Sequence, residues 1–162
     1  QGRMEFGPRA LGCRSILSDP RFVENRDRVN DAVKFRENWR PFAPSVLVEK
    51  AGRYFQDFKP SPYMILSFWA DKARAHEIPA VVHVDNSCRV QSVARETNPR
   101  YYALLEEFEK LTNVPVLMNT SFNLKGDPIV CSPKDAVQTF YTSGLDDLVI
   151  GDFVVSKKQP ER

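Results

Sequence analysis

Apolar residues recur at helical spacing in three stretches of the chain. Over residues 22–38, Phe22, Val29, Ala32 and Val33 share one face, and Glu24 stands four residues before Arg28. A helix is expected there, ending before Trp39-Arg40-Pro41 because a residue preceding proline avoids helical backbone. A second helix is expected after Asn98-Pro99, with Asn98 as cap and Pro99 in the first turn. Its stripe is Tyr101, Leu104, Leu105, Phe108 and Leu111, and Asn113 ends it. The third begins at Ser132-Pro133-Lys134-Asp135, a capping-box arrangement followed by Ala136, Val137, Phe140 and Tyr141, with Gly144 as the stop.

Shorter apolar or alternating runs predict strands at 13–17, 42–48, 63–69, 114–118 and 129–131, and one or two closing strands around Gly151 over 148–155. Between 88 and 95 polar and apolar residues alternate, with Arg89 and Gln91 on one face and Cys88 and Val90 on the other. Residues 48–55 are expected to form a short helix, and 71–77 an exposed connection. Strands and helices alternate without strict repeats, so the pattern predicts one mixed α/β domain over residues 1–162 with a twisted sheet. There is no internal repeat and no low-complexity tract.

Composition narrows the class. With 162 residues, 42% of them hydrophobic, the chain can bury a core without disulfides or metal, which excludes a disordered tail or a small stapled scaffold. The three cysteines, Cys13, Cys88 and Cys131, are far apart, and the two histidines, His76 and His83, lack ligand spacing, so no metal site is expected. No apolar run has the length of a membrane helix, and a reducing cytoplasmic compartment is expected. The first residues, Gln1-Gly2-Arg3-Met4, lack an initiator, so a piece of a longer protein is expected.

The net charge of +2 argues against a strong polyanion binder, so no nucleic-acid partner is expected. Its layout is more informative. Residues 1–40 carry eight Arg and one Lys against six acids, whereas the remaining 122 residues balance at −1. An Arg-rich front fits a discrete anion site.

Four places hold candidate chemistry. In Gly7-Pro8-Arg9-Ala10-Leu11-Gly12, glycines flank one Arg, which is read either as an anion-holding loop or as an ordinary loop. Lys34 and Arg40 sit where basic side chains complement a helix C-terminus, with Phe35, Trp39 and Phe42 interleaved as core or base-stacking rings. Arg89, on a half-buried strand, needs an acidic partner such as Asp85 or an anionic ligand. Asn119-Thr120-Ser121-Phe122-Asn123 closes an apolar strand with hydrogen-bonding side chains, as a ligand site or as a plain turn. His83 and Asp85 share a strand face with no third ligand in view, so His83 is read as structural. No Walker loop, dinucleotide fingerprint or serine-hydrolase motif is present.

Taken together, Gly2-Arg-Met-Glu-Phe-Gly-Pro-Arg-Ala-Leu-Gly12, Val33-Lys-Phe-Arg-Glu37, Trp39-Arg-Pro-Phe-Ala-Pro-Ser-Val46 and Pro115-Val-Leu-Met-Asn-Thr-Ser-Phe-Asn123 with Pro128-Ile-Val130 resemble the C-terminal domain of the nodulation-protein-U and cephalosporin-carbamoyltransferase family, along essentially the whole chain. The resemblance implies a YrdC-like twisted mixed sheet with flanking helices, following an actin/Hsp70-like N-terminal domain in the same chain. It implies binding of carbamoyl phosphate and ATP, the latter with Mg²⁺. Phosphate is released, and the carbamate attacks the ATP α-phosphate to give carbamoyladenylate and pyrophosphate. The other domain then passes the carbamoyl group to a hydroxyl acceptor. By the same resemblance Arg9, Lys34, Arg40, Arg89, Asn119 and Ser121 line the pocket, with Lys34, Arg40 and Ser121 as catalytic residues. Three positions depart from the family's usual pattern: Cys13 for Asn, Asn86-Ser87-Cys88 for Gly-Thr-Ala, and Asp127 for Glu. The alternative is a non-catalytic YrdC-like module that binds nucleotide or RNA, distinguished by a broad basic surface and a steep salt dependence.

Overall fold

A computed structural model describes residues 1–35, 37 and 40–157. Four strands form the central sheet in the order β1-β6-β2-β5: β1 (Ser15–Ser18), β6 (Val116–Ser121), β2 (Ala43–Leu47) and β5 (Gln91–Val93). β6 runs antiparallel to both neighbours, and β2 and β5 are parallel, so the sheet is mixed. Two hairpin-like pairs stand beside it. One joins β3 (Ser67–Trp69) to β4 (Ser87–Arg89), and the other joins β7 (Asp147–Ile150) to β8 (Phe153–Ser156). The mixed α/β class read from the sequence is the observed one.

Alternation across the sheet makes two layers of core. Leu47, Val93 and Leu117 meet Tyr101, Tyr102 and Leu105 of α2 (Pro99–Thr112) on one face. On the other, Val46, Val116 and Met118 pack with Val29 and Val33, and with Ala136 and Phe140 of α3 (Pro133–Tyr141). The caps of both long helices are as predicted. The Asn98 side chain accepts from the Tyr101 N–H, and Ser132 and Asp135 bond each other's backbone reciprocally. Asn113 closes α2 in the left-handed region, at φ 62°.

The first helix is shorter than the periodicity predicts. α1 covers Val23–Val29 and passes into a π-helical turn over Asn30–Lys34, closed by Phe35 at φ 46°. The wider turn is sealed by the Phe35 N–H donating to the Asn30 carbonyl at 2.6 Å. Arg36 and Asn38 of the expected helix, and Trp39 after it, lie outside the described residues. β1 starts two residues later than expected because the N–H groups of Cys13 and Arg14 donate to the Glu5 carboxylate, at 3.0 and 3.2 Å, instead of to a strand. Of the run 63–69, only Ser67–Trp69 is strand. Met64 turns left-handed at φ 54° and is buried, leaving Tyr63, Ile65, Leu66 and Trp69 exposed. No strand forms at 129–131, where the Val130 N–H makes a single bond to the Phe122 carbonyl.

Gly144 does not stop α3, which ends at Tyr141 with Thr142 as its cap. Gly144 instead lets two elements touch. Its N–H donates to the Ala32 carbonyl, and a Cβ placed there would lie 2.6 Å from the Ala32 Cβ. Gly144→Ala is expected to cost about 1–3 kcal/mol through overpacking. Calorimetric melting checks this, at about 2–4 °C per kcal/mol for a chain of this size. A melt identical to the parent's would show that the two segments part without cost.

Candidate functional site

Strand polarity gathers the chemistry at one end of the sheet. Ser121, last in β6, faces Ser15, first in β1, and Asn119 faces Ala43, first in β2. Continuing the β2/β5 register back from Ser45 and Gln91 brings Arg89 level with Ala43. Arg40 precedes the first residue of β2 by three positions, at the same end of the sheet. The site therefore lies beyond the N-terminal ends of β1, β2 and β5 and the C-terminal end of β6.

Two guanidiniums act on one another electrostatically there. Arg89 is partly buried, and its Nε is shielded from solvent with no hydrogen-bond partner. Its pKa is held below the usual arginine value first by burial and then by the charge of Arg9. Arg9 stands exposed in the loop between Gly7 and Gly12. Among the described residues neither side chain forms an ion pair with a carboxylate. Asp85, the partner considered for Arg89, accepts instead from the Ser87 N–H at 2.9 Å. Two like charges brought together without an acid fit a bound anion.

The loop carrying Arg9 rests on a buried polar patch. Asn119 is 1% exposed. Its Nδ2 donates to the Gln91 side chain at 2.9 Å, to the Ser45 hydroxyl at 3.1 Å and to the Ala10 carbonyl at 3.3 Å. Gln91 in turn donates to the Leu11 carbonyl at 2.8 Å, and Ser45 to the Gln91 oxygen at 2.6 Å. The Tyr101 hydroxyl lies against Ser45 and Asn119 without closing a hydrogen bond to either, and burial pushes its pKa up. Above this patch Gly12, at φ 127°, passes so close to Tyr101 that a Cβ would sit 2.5 Å from the ring. Only glycine meets both demands. Asn119, assigned to the ligands from the sequence, is thus placed beneath the loop, with its amide donors directed at the loop and at its neighbours on the sheet.

Lys34 and Ser121 come together at the end of β6. The π-turn buries Lys34, and its Nζ donates to the Ser121 carbonyl at 2.6 Å, to Asn123 Oδ1 at 2.8 Å and to the Asn123 carbonyl at 3.0 Å. The Ser121 hydroxyl lies 3.3 Å from the same nitrogen and donates to Asn123 Oδ1 at 2.6 Å. Arg40 is exposed, with its Nε 3.1 Å from a Glu37 carboxylate oxygen. Asn123, Gln91 and Ser45 were not singled out as site residues from the sequence. Asn123 stood inside the polar cluster after β6, and Gln91 on the predicted face of Arg89. Ser45 carried no signal, lying in an otherwise apolar strand.

No group of three His, Cys, Asp or Glu side chains converges as metal ligands would, among the described residues. No helix among them is long and apolar enough to cross a membrane.

Comparison with known proteins agrees with the motifs that line this end of the sheet. The family described as carbamoyltransferase C-terminus matches residues 1–157. The nodulation protein NolO of Bradyrhizobium diazoefficiens is 49% identical over 98% of the chain and 29% of its own length. The 3'-hydroxymethylcephem-O-carbamoyltransferase of Amycolatopsis lactamdurans is 40% identical over 94% of the chain and 29% of its own length. An uncharacterized protein of Synechocystis, sll1178, is 49% identical over the whole chain and 30% of its own. The chain spans less than a third of the length of these relatives. With the match running through the Arg9 loop, the π-turn of Lys34, Arg89 and the end of β6, this chain belongs to the carbamoyltransferase C-terminal family.

Proposed function

We propose that this chain is the carbamoyl phosphate- and ATP-binding module of an O-carbamoyltransferase. The observation that carries this reading is Arg89, partly buried with its Nε unpartnered, under the charge of Arg9 and ion-paired to no carboxylate. The phosphate of carbamoyl phosphate supplies the missing negative charge, and a guanidinium fork suits its oxygens. Lys34, Arg40 and Ser121 stand at the same end of the sheet, and Asn119 fixes the loop of Arg9 from below. Phosphoryl chemistry needs such positioning and positive charge more than it needs a strong base. Water cleaves carbamoyl phosphate to carbamate and inorganic phosphate, a carbamate oxygen attacks the α-phosphate of ATP, and pyrophosphate leaves, giving carbamoyladenylate. Mg²⁺ arrives on the ATP phosphates as part of that substrate. The transfer to a hydroxyl is the work of an actin/Hsp70-like domain preceding this one, in a cytoplasmic enzyme. The reading as a YrdC-like fold rests on the family resemblance and the mixed sheet.

An RNA-binding surface is less well supported. Of the Arg residues crowded into the first 40, Arg21, Arg26, Arg28 and Arg40 are ion-paired to Asp19, Asp27, Asp146 and Glu37. Arg14 is committed to backbone carbonyls of residues 1, 2, 13 and 131. Titration calorimetry on the chain is expected to show binding of carbamoyl phosphate and of MgATP, with inorganic phosphate competing against the former. A folded chain that binds neither would overturn the reading.

A further inference from the structure

The buried atoms around Arg89 include a second one without a partner. His83 Nε2 is shielded from solvent and makes no hydrogen bond. The ring's other nitrogen is engaged: His83 Nδ1 lies 3.1 Å from the Ser87 hydroxyl. Ser87 and Arg89 are two residues apart on β4 and so share a face, which places the imidazole on the face of the guanidinium. Arg89 is close enough for its charge to act on His83. Burial first, and then Arg89, hold the imidazole below its usual pKa against the opposing pull of Asp85.

The Ser87 hydroxyl can donate to His83 Nδ1 or accept from it, so this bond serves either tautomer. The Asp85 carboxyl is held below its usual range first by the Ser87 N–H and then by the Ser87 hydroxyl. When the hydroxyl accepts, the His83 proton sits on Nδ1 and Nε2 carries a lone pair. The turn that makes this possible is tight. The Asn86 N–H donates to the His83 carbonyl at 2.9 Å, and Asn86 itself adopts φ 66°. In the tautomer protonated on Nδ1 the two orphaned atoms are complementary, a lone pair on His83 and an N–H on Arg89.

We propose that His83 is a positioning residue for Arg89: in the anion-bound site the Arg89 Nε–H donates to His83 Nε2, which leaves both terminal guanidinium nitrogens directed at the anion. Asp85 and Ser87 set the imidazole, the imidazole sets the guanidinium, and the guanidinium binds. The proposal rests on the reading of Arg9 and Arg89 as an anion site.

The test uses side chains that mimic one ring nitrogen at a time. Glutamine reaches the position of Nε2, and asparagine that of Nδ1. Calorimetric titration with carbamoyl phosphate, and with inorganic phosphate, is run on the chain and on His83→Gln, His83→Asn and His83→Ala. The Gln variant is expected to bind within about twofold of the parent. The Asn and Ala variants are expected to bind at least about tenfold more weakly, the factor carried by one hydrogen bond to a charged group. In an Arg89→Lys background, which keeps the charge and lacks the Nε–H, His83→Ala is expected to add nothing. Two results would overturn the proposal: Asn restoring binding as well as Gln, or the full His83→Ala loss persisting in the Arg89→Lys background. Failure of the two readings is separable. If Arg89→Ala binds like the parent, the anion site itself falls. If Arg89→Ala loses binding while His83→Ala does not, only the role of His83 falls.

Discussion

Arg89→Ala is expected to lose about a hundredfold or more in affinity for carbamoyl phosphate while melting no lower than the parent. Removing one charged contact from an electrostatic site costs about 2–4 kcal/mol, or roughly 30- to 1000-fold. The stability side has the opposite sign from that of an ordinary buried ion pair. Breaking a buried pair strands a charge and costs about 3–5 kcal/mol. Arg89 has no such partner to strand. It is desolvated, it lies under the charge of Arg9, and its Nε is unsatisfied. Alanine relieves all three, so the melting temperature is expected to hold or to rise. Parallel titration and thermal melting decide the matter. A variant that loses several degrees would show that Arg89 serves the fold through contacts other than an anion.

Lys34→Met is expected to do the reverse, costing about 2–4 kcal/mol of stability in addition to any effect on binding. Methionine keeps most of the stem and removes the ammonium. The Ser121 and Asn123 carbonyls and the Asn123 amide oxygen then lose a charged donor, and bonds to charged groups are each worth about 1.5–3 kcal/mol. The turn after β6 loses the group that gathers it, and Ser121 is released from its place. Urea unfolding checks this. An unchanged midpoint, with binding lost, would make Lys34 a ligand contact alone.

These two cations were read alike in the sequence, and the structure separates them. The reason lies in what spacing encodes. Caps are local, so Asn98 with Tyr101 and Ser132 with Asp135 were legible three residues apart. The partners that define the site are remote. Lys34 meets Asn123 across 89 residues, and Arg9 and Arg89 come from the first loop and a strand in mid-chain. Nothing in a linear pattern says whether an Arg on a half-buried strand ends beside a carboxylate or beside another Arg. Motif resemblance supplied the grouping that periodicity could not. It did not reveal that the Asn119 amide is directed at the loop, because a motif records which residue is present and not which atom it faces. The overlong helix at 22–38 and the strand at 63–69 missed for a related reason. A π-turn and a left-handed methionine break the period at positions where composition gives no warning.

The polar patch under the Arg9 loop has a consequence for how the strands find one another. A slip of two residues between β2 and β5 would return every side chain to its own face, so apolar burial alone would tolerate the error. It would carry Gln91 away from Ser45 to lie beside Ala43 or Leu47, where a carboxamide has no partner. A stranded buried polar group costs about 1–3 kcal/mol, a large fraction of a domain's net stability. Ser45, Gln91 and Asn119 thus act as an alignment key for the central strands. The sheet cannot settle into the neighbouring registry and still keep a floor on which the Arg9 loop can rest.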